Sequence, residues 1–170
     1  GLWHGHIVAT RDYALAVHAG NAAAEQKAEA AVIDNAKQIA GAVGGFYGAA
    51  AGDTTFKALG GHWAGVKALT LAAKAKDAAA EQKAMDDLAA NATAIAQFFA
   101  GANPQNWTVG QLQGALLMHV GDHEQQVDAM MANAPAAHQA QLWSDMQHHM
   151  NMIADVLSDG IAKQFPDKAS

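Results

Sequence analysis

Cysteine is absent from the 170 residues, and with it go disulfides, thiolate metal sites, cysteine nucleophiles and covalently attached c-type haem. Proline is limited to three residues and aromatics to 6%, so the β-branched and aromatic enrichment of strands is missing and a sheet protein is not expected. Basic charge is scarce as well: ten Lys and Arg stand against sixteen Asp and Glu, a formal net charge of -6. No basic cluster would neutralise several phosphates, which argues against a nucleic-acid partner. No stretch approaches the roughly 18 uninterrupted apolar residues of a membrane span. The start at Gly1 rather than Met fits removal of a leader peptide or trimming of a longer chain. It leans the expectation towards a soluble protein outside the cytoplasm, secreted or periplasmic.

What the sequence does hold is alanine, about a quarter of all residues and the strongest helix former. It also repeats itself. Ala22-Ala23-Ala24-Glu25-Gln26-Lys27-Ala28 recurs letter for letter at Ala78 to Ala84, and the offset of 56 residues extends to Asn35/Asn91, Ile39/Ile95 and His6/His62. A more diverged third unit carries His119 at 57 beyond His62, with His149 and Ile153 spaced as Asn35 and Ile39 are. Capping signals give each unit two helices: Gly20-Asn21 and Lys76-Asp77 read as helix end plus N-cap, Thr108 to Gln111 as a capping box, and Pro135 as a first-turn residue. The expectation is an all-α, single-domain six-helix bundle over 1–170, with helices at about 3–20, 22–44, 53–76, 78–100, 108–132 and 135–163. They form three antiparallel hairpins of roughly 57 residues, at about 1–50, 51–104 and 105–166. The links fall at the glycines between 44 and 52 and at 101–107.

The arms of these hairpins are equal. His6 lies 15 residues before Asn21 and Asn35 lies 14 after it; His62 and Asn91 bracket Asp77 in the same way, and His119 and His149 bracket the third turn at Asn133-Ala134. At about 1.5 Å per residue the six polar groups share one level, about 22 Å from the turns. Their apolar neighbours at helical spacing place that level in the core. Buried imidazoles need partners, and imidazole is the commonest metal ligand. His6, His62, His119 and His149 come from four helices, and His123 adds a second imidazole one turn beyond His119. Met146-x-x-His149-x-x-Met152 adds thioethers of the kind that suit copper. Asn35 and Asn91 stand behind the imidazoles as hydrogen-bonding partners.

These residues point to binding, storage or sensing of a transition-metal ion, copper ahead of zinc, iron or nickel. No Ser/His/Asp set, Glu-x-x-His pair or phosphate loop argues for an enzyme. Two readings compete: a structural or protein-interaction module whose His/Asn layer is a core network without metal, and a b-type haem bundle using two histidines or a His/Met pair. Met residues and Trp143 on the last hairpin could form a homodimer surface.

The stretch Ala154-Asp155-Val156-Leu157-Ser158-Asp159-Gly160-Ile161 running on to Gln164-Phe165-Pro166, Trp3-x-x-His6 with Thr10-Arg11, Phe46-Tyr47-Gly48, and Asn91-Ala92 with Ile95-Ala96 resemble an uncharacterised family of small bacterial all-helical proteins. Some of its members carry names such as acetylglutamate kinase or glycosyltransferase that fit no motif here. The resemblance implies a helical fold and no established activity. Members of that family have an acidic residue near each repeat histidine, where this chain has His4, Gly61 and Met118; that departure favours His/Met ligation.

Overall fold

The structure, a computed structural model, describes residues 1–169. Six long helices carry the fold: α1 (Leu2–Ala19), α2 (Ala22–Tyr47), α3 (Ala49–Ala75), α4 (Ala78–Ala102), α5 (Val109–Met131) and α6 (Ala136–Gln164), followed by the single turn α7 (Pro166–Ala169). No strand occurs among the described residues. Each helix packs most closely on its neighbours in the chain, α6 closes the ring against α1, and α1, α3 and α5 also meet one another. The odd-numbered helices therefore form the inner triangle, and α2, α4 and α6 lie in the grooves between them. No helix among the described residues is long and apolar enough to cross a membrane.

The hairpin turns show the repeat at atomic detail. In each, two backbone N–H groups reach back to orphan carbonyls in the Schellman pattern: Gly20 to Val17 and Asn21 to Ala16; Lys76 to Ala73 and Asp77 to Ala72; Asn133 to Met130 and Ala134 to Ala129. This pattern requires a left-handed residue after the helix, and Gly20, Lys76 and Asn133 supply it with φ of 68°, 57° and 53°. Asn21 and Asp77 then cap α2 and α4, each side-chain oxygen accepting from the N–H three residues on at 3.1 Å. Thr108 caps α5 in the same way.

One expected boundary differs. The link between the first two units is not an eight-residue glycine loop over 45–52 but the single residue Gly48, at φ 98°. The neighbouring glycines serve packing instead: a Cβ on Gly52 would lie 3.0 Å from the Ala40 carbonyl oxygen and 3.3 Å from the Gly44 Cα. Hydrogen there lets α2 and α3 touch backbone to backbone, so both helices run on to the corner. Pro135 stands at the N-cap of α6 rather than inside its first turn.

Two apolar clusters fill the bundle. One joins Ile7, Phe99, Trp107, Leu112, Met146, Met150, Ile153 and Leu157. The other, nearer the hairpin turns, joins Tyr13, Val17, Trp63, Val66, Leu69, Leu88 and Val120. Fully burying a side chain such as Leu69 or Leu88 contributes roughly 1.5–3 kcal/mol. Trp107 anchors the α4–α5 link, its indole N–H donating to the Val156 carbonyl at 3.0 Å. Trp143 is half-buried against the chain's own packing, with the Arg11 guanidinium 4.6 Å from its ring centre.

Lys76 is the non-glycine counterpart of Gly20, held in a conformation that disfavours a Cβ. Lys76→Gly is expected to raise stability by about 1 kcal/mol, read as a higher urea midpoint with an unchanged slope; an unchanged or lower midpoint would show that the turn is not strained there.

Candidate metal centre

The inner helices each bring a histidine to the boundary between the two apolar clusters: His6 from α1, His62 from α3, His119 and His123 from α5. All four are buried, with 7%, 6%, 3% and 1% of their surface exposed. One ring nitrogen from each lies within 4.8 Å of the others. The Nε2 atoms of His62 and His6 are 3.2 Å apart, those of His119 and His6 3.4 Å, and those of His123 and His119 3.0 Å. A tetrahedral ion with metal–nitrogen bonds of about 2.0–2.1 Å has ligand edges of about 3.3 Å. Three of the cluster's six edges have about this length, and the other three lie within 4.8 Å.

Its protonation state suits a metal too. Burial pushes His6 down to about 3, assisted by neighbouring His62, and His62 down to about 4. Burial and the other imidazoles hold His119 and His123 well below the ordinary histidine range. The rings are therefore neutral at physiological pH, with lone pairs free for coordination. His119 Nδ1 is buried without a partner, so packing and the Nε2 contacts alone orient that ring.

The other residues expected at the site fall elsewhere. His149 stands outside the group of four: its Nδ1 donates to the Asp122 carboxylate at 2.7 Å. It occupies the repeat position of Asn35 and Asn91, a position that clasps the facing helix, and His123 supplies the fourth imidazole instead. Asn35 and Asn91 do not touch the imidazoles. Asn35 Nδ2 donates to the Leu2 carbonyl at 2.9 Å and Asn91 Nδ2 to that of Ala58 at 3.0 Å, crossing beside Gly5 and Gly61, where a Cβ would lie 2.9 Å and 2.8 Å from the amide nitrogens. They set the level of the following residues, His6 and His62. Met146 is buried in the apolar cluster, and Met152 is 47% exposed, too far out on α6 for a core site. A porphyrin has no room, because the cavity beside the imidazoles is about 60 Å³ and cofactor pockets run to about 300 Å³ or more.

Two residues matter more than their sequence signals indicated. Met150, rather than Met146 or Met152, shares a cavity wall with His6, His62 and His119. Asp122 is the one buried carboxylate among the described residues; its desolvation raises its pKa and the His149 hydrogen bond opposes that rise. A separate acidic group, Glu81, Glu124 and Asp128, lies towards the surface between α4 and α5, where sharing a hydrogen bond with Asp128 pushes Glu81 up to about 7.

The lowered histidine values carry a pH dependence for the metal-free protein. Below about 6.5 the unfolded chain takes up protons at these histidines and the folded chain does not, so stability rises with pH in that range. It is complete above 6.5 and is lost as pH falls towards 4 and 3. Urea midpoints are expected to decline steadily from pH 6.5 to 4, and less steeply in His6→Phe; equal slopes in both proteins would contradict burial of neutral imidazoles.

The chain matches no protein-family model, no curated protein and no solved structure, so its four converging imidazoles are the ground on which function is read.

Proposed function

We propose that this protein binds a first-row transition-metal ion through His6, His62, His119 and His123, and that it stores, carries or senses the ion rather than turning over a substrate. The observation that carries this reading is the convergence of four buried imidazoles within 4.8 Å, three of whose Nε2 separations, 3.0 to 3.4 Å, are close to the edge of a tetrahedral nitrogen shell.

Copper is favoured on two grounds. Among divalent ions, imidazole sites follow an affinity order in which copper leads zinc, nickel and iron; the second ground concerns monovalent copper. Four neutral imidazoles also leave the whole charge of the ion in an apolar core whose one carboxylate, Asp122, is already bonded to His149. Desolvation cost grows steeply with charge, so a monovalent copper ion is accommodated more readily than a divalent one. The His–His contacts are also of hydrogen-bond length, which keeps a metal-free core network as the competing reading.

Elemental analysis of purified, untagged protein after loading with copper, zinc, nickel or iron and desalting tests the proposal. About one copper per chain is expected in the wild type, near zero in His62→Ala and His123→Ala with helical content retained, and the wild-type amount in His149→Ala. No retained metal under reducing and oxidising conditions, with stability lost in His62→Ala, would identify the layer as a hydrogen-bonded network.

A further inference from the structure

Apart from the imidazoles and Gln111 at its exposed rim, the cavity beside the histidines is lined by apolar side chains. It is about 60 Å³ and touches His6, His62 and His119 but not His123. It therefore lies against one triangular face of the imidazole shell, on the side away from His123. The next layer of the inner helices bounds it: Trp3, Leu59 and Leu116 each stand three residues before a repeat histidine. Phe99 of α4 and Met150 of α6 line it from the outer helices.

A cavity needs only about 10–15 Å³ by this measure to hold a water, yet apolar cavities of about 150 Å³ stay dry and take up benzene or xenon. At about 60 Å³ this one is too small for a ring and large enough for an uncharged diatomic molecule. Hydrated ions and anions find only the neutral imidazoles and, at the exposed rim, Gln111 as polar partners.

A second apolar cavity, of about 190 Å³, adjoins it and shares Trp3, Phe99 and Leu157 as common walls. Exposed Leu2, Ala42 and Ser158 stand at its rim, so it opens to the surface. The two cavities abut across Trp3, Phe99 and Leu157, the outer one open to the surface and the inner one facing the imidazoles.

We infer that the inner cavity admits a small uncharged gas ligand, of the class of dioxygen, nitric oxide and carbon monoxide, to the bound ion. An incoming ligand would meet the ion from the side of His6, His62 and His119 and take the place of His123 among its donors, because monovalent copper with four nitrogen donors is saturated and holds no fifth ligand. This inference rests on the metal reading above and assigns the ligand class of that same site.

Two measurements test it. Crystals of the metal-free protein pressurised with xenon are expected to show xenon against His6, His62 and His119. Copper(I)-loaded protein under carbon monoxide is expected to show one C–O stretching band per bound copper. In Ala115→Phe, where a half-buried residue of the cavity wall is enlarged, both signals should fall at least tenfold with copper content unchanged; should that variant unfold, Ala92→Val provides the same comparison. Ordered water in place of xenon, or xenon without carbon monoxide binding, overturns the inference while leaving the metal reading intact. Absence of retained copper in the separate elemental analysis overturns both.

Discussion

Ring nitrogens from different helices can stand 3 Å apart only if those helices hold a common level to within a fraction of a turn. That requirement governs the rest of the architecture. From His6 and His62, α1 and α3 each run 14 residues to a left-handed residue, Gly20 and Lys76, and the two turns close with the same pattern of backbone hydrogen bonds. Asn35 and Asn91 then clasp each odd helix at the residues before its histidine. A one-residue slip along any inner helix would rotate its imidazole by about 100° and move it 1.5 Å, enough to break the cluster.

Burial supplies the second half of the design. Imidazole is the one side chain whose charge is easily removed near neutral pH, and the surrounding apolar clusters remove it. The result is a donor set that is uncharged and dry. Nitrogen donors of this kind suit first-row transition metals rather than hydrated magnesium or calcium, which call for oxygen ligands.

Most of the fold was legible because it rests on local signals that survive in one sequence: alanine-rich helical periods, cap residues at a fixed offset, and a seven-residue identity between units. The corner at Gly48 was not, because a glycine that relieves a contact between two helices leaves the same trace as one that bends a loop. The site was legible in part. His6 and His62 followed from the repeat and His123 from its spacing to His119, but His149 belongs to the register of the clasping asparagines, and only the packing of α5 against α6 shows that it turns to Asp122. The methionines misled for a similar reason: a spacing of three and six places Met146, His149 and Met152 along one helix without saying how far that stripe winds out of the core. Asp122 carried no signal beyond its position beside His123.

The fourth imidazole stands apart from the other three in origin. His6, His62 and His119 are equivalents generated by duplication, whereas His123 has no counterpart in the first two units, where Thr10 and Val66 lie four residues after the repeat histidine. Three identical hairpins assembled around an axis would present three equal ligands and could never present four. Fusion into one chain frees a single copy to change alone, so one imidazole without a repeat counterpart, His123, can close one end of the site, which three identical hairpins could not supply.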